Sequence, residues 1–385
     1  MSLFRHFAVA LLLTLCVLAD DPANPSGGIS KWGIGHPNAS ADTTAINAVG
    51  TNAVKVTENS NWVLVQRLDR SLFSWGNNTY GQTNVPSSSI WSNSFAGWRH
   101  GIACDTNGNV DEWGTPYGND IAAWEALRPA GVTNDTIIQV AAGDDHSIAL
   151  GTNGVVYAWG GRTLVTNANE TITDAQMIDS GWYAFITLRD SGAVTTHGTV
   201  SQVGQYITVP SGLTNATFVG ASQFSFFAIQ AGTPWGWGMP NDYGQFTFGA
   251  EATNIVSISG GTRHTIMARA DGVVLCYGDN TQGQSTVPAS VTNATWIVGG
   301  RYVSFAIQNG TGAAGGGATT YYVATTGNDT NSGTTLETAW RTIQKAATTM
   351  TAGQNVLVQP GSYGEYVTSG ANGTSVSNIT FSADG

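Results

Sequence analysis

The sequence predicts an all-β chain whose main body is a seven-bladed β-propeller. Three observations lead there. A unit of roughly 40 residues recurs along most of the chain. The composition suits short strands and tight turns. The array also opens and closes on complementary half-units.

The chain has 385 residues, enough for two domains with their own cores. Its 49 glycines, 13 tryptophans and 10% charged residues are unlike a helical or α/β enzyme. Gly, Asn, Thr, Val and aromatic residues favour strands and turns over helices. A net charge of −11 with no Lys/Arg run excludes nucleic acid as a partner, since phosphates need a basic face.

Residues 1–19 read as a secretory leader. Arg5 and His6 precede an apolar run over 8–18, and Val17-Leu18-Ala19 precedes Asp20. The run is too short for a membrane span, and no later stretch is long and apolar enough either, so no integral span is expected. Leu15 before Cys16 argues against a lipidated cysteine. Cys104 and Cys276 then remain. They fall in different repeats at different strand positions, so two buried free thiols are expected, not a disulfide.

The repeat's first half reads Gly-x-x-His-Ser-apolar-Ala-apolar and its second half Gly-x-Val-x-x-Trp-Gly. The clearest copy runs Gly143-Asp144-Asp145-His146-Ser147-Ile148-Ala149-Leu150, then Gly154-Val155-Val156-Tyr157-Ala158-Trp159-Gly160. Others centre on His100 with Trp113-Gly114, and on His264 with Tyr277-Gly278. Asn153-Gly154 and Asp271-Gly272 are turn dipeptides that accept positive φ, so each pair of halves forms a hairpin.

A third segment follows several copies, as in Tyr80-Gly81-Gln82, Gly204-Gln205 and Gly283-Gln284. Asn134, Asn215 and Asn293 then recur before the next strand. They are among ten glycosylation sequons, but a shared repeat position makes turn chemistry their explanation.

Seven strand ends of this type occur, from Trp32-Gly33 to Tyr277-Gly278. The chain enters with a second half only, at Gly27 to Gly33, and leaves with a first half only, at Gly299 to Ile307. Pairing these halves closes a ring and removes an exposed sheet edge. The propeller is placed at 20–310.

This unit resembles the repeat of the regulator of chromosome condensation family, also called alpha-tubulin suppressor-like repeats. Its short length is closest in style to the secreted bacterial branch typified by beta-lactamase inhibitory protein II, with mostly three-stranded blades. The match covers 27–309. It is strongest around His100, His146 and His264, and weaker where Trp62 and Ser225 hold the histidine position.

The histidines recur around a ring and do not converge, so each is expected to hydrogen-bond within its own blade, with no metal or catalytic role. The Trp of each Trp-Gly is expected to pack between blades. The pair between the repeat's Gly and its His position behaves differently. It reads Ser60-Asn61, Trp98-Arg99, Asp144-Asp145, Gly181-Trp182, Gln223-Phe224, Thr262-Arg263 and Arg301-Tyr302. These loops all leave one strand end and so share one face.

Aromatic residues and arginine are what binding surfaces enrich. Trp98, Arg99, Asp144, Asp145, Trp182, Phe224, Arg263, Arg301 and Tyr302 are therefore the candidate binding residues. The resemblance implies the same, since binding in the inhibitory-protein branch uses one aromatic-lined face. Adjacent carboxylates such as Asp144-Asp145 point apart, and no other catalytic motif occurs, so no catalytic residue, metal or cofactor is expected. Gly310 to Gly315 spells a dinucleotide fingerprint, but it lies in a linker with no helix after it.

Residues 311–320 form a Gly/Ala-rich linker. Over 321–385 a strand at Tyr321-Tyr322-Val323 precedes a helix with Trp340, Ile343, Ala347 and Met350 at helical spacing, then a strand around Val356-Leu357-Val358. That order resembles the N-terminal cap and first coil of right-handed parallel β-helix proteins, a superfamily that includes pectate lyases. One coil cannot bury its own core, so this domain is expected to be incomplete. Asp329 is expected to shape the turn before the helix.

Two functional readings follow. One is a monomeric secreted or cell-surface protein binding an extracellular protein or polysaccharide. The other is an accessory propeller of a polysaccharide-acting β-helix enzyme whose catalytic part lies elsewhere. Nucleotide exchange, known from the family's eukaryotic branch, conflicts with a leader and an acidic charge.

Overall fold

The structure is a computed structural model that describes residues 27–33, 39–50, 52–59, 61–87, 90–116, 121–161, 165, 168–198, 207–309, 320–333, 338–349, 355–358 and 380–383. The leader, Cys16 and the linker lie outside them. Two compact units divide the chain, Met1–Asn309 and Gly310–Gly385.

The first unit is built of three-stranded antiparallel sheets. After β1 (Gly27–Trp32) come β2 (Ala53–Asn59), β3 (Trp62–Arg67) and β4 (Leu72–Gly76), then β5 (Trp91–Ala96), β6 (His100–Asp105) and β7 (Val110–Gly114). The pattern repeats as β8 (Ile137–Ala142), β9 (His146–Gly151), β10 (Val156–Gly160), and β11 (Ala175–Ser180), β12 (Ala184–Arg189), β13 (Val194–Gly198). It continues as β14 (Phe218–Ala221), β15 (Ser225–Gln230), β16 (Thr233–Gly238), and β17 (Ile255–Gly260), β18 (His264–Arg269), β19 (Val274–Gly278). The last members are β20 (Ala294–Gly299) and β21 (Ser304–Asn309).

The seventh sheet closes the ring as expected. β1 completes β20 and β21, in register from Gly27↔Asn309 to Trp32↔Ser304, while β1 and β2 meet only at Gly27↔Ala53. The first strand of each sheet packs against the first strand of the next, and β20 returns to β2. These strands are the inner ring. Six of them shift register after their first residue, at Ala53/Lys55, Trp91/Asn93, Ile137/Gln139, Ala175/Met177, Ile255/Ser257 and Ala294/Trp296. A bulge repeated at one position bends each inner strand alike.

The apolar core lies between sheets. One cluster joins Trp62 and Leu64 of β3 to Trp91, Ala103 and Trp113 of the next sheet. Another joins Trp32 to Ile266, Val274 and Ile297. The Trp-Gly tryptophans 32, 75, 113, 159 and 237 are all buried, as inter-sheet packing requires. Burying rings this size is the main favourable term in such a fold.

The histidines depart from expectation in one respect: their partners lie in the next sheet. His100, His146 and His264 place Nε2 at 3.0, 2.8 and 2.9 Å from the hydroxyls of Ser147, Ser180 and Ser304. Trp62, at the histidine position of its own unit, does the same by donating to the Gly97 carbonyl at 2.8 Å. A side chain entering at the start of the middle strand is aimed at the neighbouring sheet, so the link falls between blades. Burial pushes His100 down to about 3 and His264 to about 4, so both are neutral.

Glu112 is a second inter-sheet lock. It accepts from Ser147, Trp124, Trp159 and Arg128 at 2.6, 2.9, 3.2 and 2.9 Å. Cys104 is buried and Cys276 half-buried; both are free thiols, and burial pushes Cys276 up to about 12.

Three helices the sequence reading did not anticipate lie in connections: α1 (Ala39–Val49), α2 (Ile121–Glu125) and α3 (Ala130–Asn134). α1 adds Ala45 and Val49 to the cluster around Val56, Trp75 and Phe305. Asn215 and Asn293 take positive φ, 49° and 50°, as turn chemistry requires, whereas Asn134 ends α3.

In the second unit β22 (Thr320–Val323), β23 (Asn355–Val358) and β24 (Thr380–Ala383) form a parallel sheet in that order. The helix there, α4, spans Ile343–Thr349, and Met350 lies outside the described residues. Trp340 is not on the helix. It bridges Val323 and stacks on Tyr321 with centroids 4.6 Å apart. Asp329 accepts from the amides of Arg341 and Thr342 at 2.8 and 2.9 Å, fixing the turn before α4.

Candidate binding surface at the propeller axis

Every loop between an inner strand and the next strand leaves the same end of its sheet, so these loops share one face. Backbone bonds tie them in series. The Trp98 amide donates to Gly143 at 3.1 Å, the Asp144 amide to Trp182 at 2.9 Å, and the Trp182 amide to Gln223 at 3.1 Å. The repeat's glycine is required by this closeness: a Cβ on Gly143 would stand 2.6 Å from the Gly181 carbonyl oxygen.

Three of the expected residues converge. The Trp98 and Trp182 rings lie 6.1 Å apart although their sheets are not neighbours, and Phe224 meets Trp182 edge-on at 4.9 Å. Trp182 also reaches the far wall, donating from Nε1 to Asn59 Oδ1 at 3.0 Å. The aromatic cluster therefore roofs the axis of the ring.

The cations stack at the edge of this cluster or away from it. The Arg99 guanidinium lies 4.0 Å from the Trp98 ring and 4.3 Å from Tyr80. Arg263 lies over Tyr243 at 4.6 Å, and Arg301, which is exposed, over Tyr302 at 5.2 Å. Asp145 is half-buried, with its carbonyl accepting from Gly161. Asp144 is 6% exposed, so it supports the loop and offers little to a partner. No contact brings Arg263, Arg301 or Tyr302 to the Trp98–Trp182–Phe224 group among the described residues.

Beneath the roof lies a cavity of about 640 Å³, lined by side chains of the inner strands. It extends from Trp182 and Gly181 to Asp271, Gly272 and Asn293 at the opposite face. Many lining groups stitch one inner strand to the next. Lys55 Nζ lies 3.3 Å from Asn93 Oδ1, Gln139 bonds both ways with the Ile178 backbone, and Asp179 accepts from the Ala221 amide at 2.7 Å. Trp296 donates to the Val56 carbonyl at 2.8 Å. Burial pushes Asp179 up to about 6, against the hydrogen bonds from Ala221 and Ser180 and the charge of Lys55. No helix among the described residues is long and apolar enough to cross a membrane.

Residues 137–161 and 255–284 match the family described as Regulator of chromosome condensation (RCC1) repeat. The structure is similar to that of Prp20p from Saccharomyces cerevisiae, with a TM-score of 0.57 at 14% identity, covering 74% of this chain and 91% of that one. The ring has the fold of an RCC1-type propeller, and two of its segments match that repeat. A structure of yeast RCC1 (Prp20) bound to Kap60 gives a TM-score of 0.59 at 13% identity, over 76% and 92% of the two chains. At these identities the likeness concerns the fold alone.

In sequence, the chain is 27% identical over 145 residues to the "Secretion-regulating guanine nucleotide exchange factor" of Mus musculus, covering 30% of this chain and 31% of that protein. It is 25% identical over 219 residues to protein pim1 of Schizosaccharomyces pombe, covering 51% and 36%. The chain spans about a third of the length of these curated relatives. The Prp20p study describes that protein's binding to Gsp1p and histones.

Sequence reasoning missed Asn59, Tyr80 and Tyr243 on the loop face and, apart from Trp182, the charged and polar side chains of the cavity lining. Tyr243-Gly244-Gln245 repeats the Tyr80-Gly81-Gln82 signature and could have been found by it. In both copies the buried glutamine accepts from the tyrosine's own amide, at 2.8 and 3.2 Å, which fixes the loop. The lining was signalled by third and fifth positions of the inner strands that change character from copy to copy, as in Lys55, Asn93, Gln139 and Asp179.

Proposed function

We propose that this chain is a secreted or cell-surface binding protein whose propeller recognises an extracellular protein or glycan through its Gly-x-x-His loop face. One observation carries the reading: Trp98, Trp182 and Phe224 converge with Arg99 and Tyr80 into one aromatic, cationic patch. Half-buried rings of this kind supply large contact area at small entropic cost and are the residues on which binding energy concentrates. Protein binding by yeast Prp20 supports a protein partner by analogy. Exchange activity, named for the mouse relative, is not carried over. The secreted setting rests on the leader-like residues 1–19 and the acidic composition.

In this reading the propeller occupies 20–310 and a separate domain begins near 321. A second reading is favoured by the parallel sheet β22-β23-β24 with α4 between its first two strands. That arrangement supports the start of a parallel β-helix, which would make the propeller an accessory to a polysaccharide-acting enzyme. No residue of this chain is assigned a catalytic role in either reading.

The test is a screen of the full chain against arrayed glycans and arrayed secreted proteins, repeated with a Trp98→Ala, Trp182→Ala, Tyr302→Ala triple variant of verified fold. Binding abolished by the variant supports the loop face. Binding that is insensitive to it rejects this site.

A further inference from the structure

The stitching accounts for most polar groups around the axis, but two buried hydroxyls remain outside it. Thr57 Oγ1 and Ser222 Oγ both belong to cavity-lining residues, 5% and 7% exposed, and neither has a hydrogen-bond partner among the described residues. A buried hydroxyl without a partner carries a desolvation cost of about 1–3 kcal/mol, which a polar atom of a bound water, ion or ligand relieves.

The cavity lining carries two cations, Lys55 and Arg269, and three acids, Glu58, Asp179 and Asp271. Arg269 and Asp271 pair with each other at 2.7 Å near the far face, which leaves Lys55 and Asp179 as the facing charges of the proposed site. Lys55 stands on β2, with its ammonium 5.6 Å from the Trp296 ring and 6.0 Å from Phe95. Asp179 stands on β11, three sheets further round the ring. Phe95, Phe218 and Trp296 supply apolar wall between polar groups. A cavity of about 640 Å³ falls within the roughly 300–1,000 Å³ typical of small-molecule sites. It mixes apolar wall with a few placed polar groups, as those sites do.

We propose that the axial cavity is a second, separate binding site that takes a small zwitterion of the amino-acid or dipeptide class. Lys55 meets the carboxylate, Asp179 the ammonium, and Thr57 and Ser222 bond the remaining polar atoms. A molecule carrying both charges gains from both walls inside a low-dielectric site, whereas a singly charged one leaves its counter-ion behind. Entry is from the face bearing Asp271 and Asn293, because the aromatic cluster roofs the other end. The cavity shares Trp182 with the loop face, but Lys55, Thr57, Asp179 and Ser222 lie outside that patch, so the two readings can fail separately.

The experiment is isothermal calorimetry on the full chain with each of the twenty amino acids and with alanyl-alanine. Methylamine, acetate and glucose serve as single-feature comparisons. Saturable binding of a zwitterion is expected, without binding of methylamine, acetate or glucose. Lys55→Met and Asp179→Asn each weaken it at least tenfold. Because those two residues also stitch the inner ring, Thr57→Val and Ser222→Ala provide the second arm. Both keep side-chain volume close and break no side-chain hydrogen bond among the described residues. Each is expected to weaken binding several-fold with an unchanged melting temperature. No zwitterion binding, binding of glucose in its place, or affinity indifferent to all four substitutions overturns the proposal.

Discussion

Trp182 and Asn59 lie 123 residues apart, yet the indole Nε1 donates to the Asn59 Oδ1 at 3.0 Å. The bond spans the axis of the ring and holds the aromatic roof in place. Truncating Trp182 removes the Phe224 and Trp98 contacts together with this bond. A half-buried tryptophan of this kind is worth about 2 kcal/mol on replacement by alanine. Trp182→Phe keeps a ring and loses the bond alone, about 1 kcal/mol. Denaturant unfolding of Trp182→Phe, Asn59→Ala and the double variant should show a coupling of about that size. Strict additivity would mean the bond contributes nothing.

The inter-sheet histidines make stability depend on pH. Their folded pKa values, about 3 for His100 and about 4 for His264, lie below the ordinary 6.5. The unfolded chain therefore binds more protons as pH falls through 6.5, and stability is lost on acidification until the folded value is reached. Each contributes a slope of about 1.4 kcal/mol per pH unit in that window. Unfolding midpoints of His264→Gln between pH 7 and 4.5 should fall less steeply than the parent's. Parallel curves would show that burial does not lower the His264 pKa in the folded state.

Asp179 acts with the opposite sign. Its folded pKa, pushed up to about 6, lies above the ordinary 3.8, so the folded chain holds a proton that the unfolded chain has released. Stability contributed by this group falls as pH rises from about 4 to 6 and is level above that. The full effect is on the order of 3 kcal/mol, an upper bound because the carboxylate faces the cavity. Subtracting the Asp179→Asn profile from the parent's should reveal a decline confined to that window. A difference flat with pH would contradict it.

Glu112 joins two tryptophans, a serine and an arginine at the junction of two sheets. Glu112→Ala leaves these donors and the Arg128 charge buried, at a cost of about 3–5 kcal/mol. Glu112→Gln keeps an acceptor oxygen for the indoles and should cost less than half as much. Chemical denaturation separates the two. Equal losses would mean that packing, not the carboxylate, holds this junction.

Much of the fold was legible because its unit repeats. The hairpin glycines, the Trp-Gly ends and the half-units at Gly27 and Gly299 each obey local rules, and together they dictate closure. The direction of the histidine bonds was not legible. Which sheet a buried side chain meets depends on how blades stack, and no single repeat encodes that. α1 escaped because its alanine-rich stretch over 39–49 lies in a connection outside the repeat. The shared strand end of the loop residues could be read from the repeat, but only three-dimensional closure showed that Trp98, Trp182 and Phe224 meet while Asp144 is buried. The cavity was hidden for a related reason: its lining is one or two residues from each of several inner strands, and each alone resembles an ordinary strand residue.

A two-face comparison tests most directly whether the Gly-x-x-His loop face is the recognition surface. The opposite face also exposes apolar side chains, Leu68, Ile90 and Val273, which serve as the control. Surface plasmon resonance would measure any array-identified partner against the Trp98→Ala, Trp182→Ala, Tyr302→Ala variant and against a Leu68→Ala, Ile90→Ala, Val273→Ala variant. Affinity is expected to fall at least about a hundredfold in the first and to change less than about threefold in the second. Binding retained by the first and lost in the second would contradict a loop-face site.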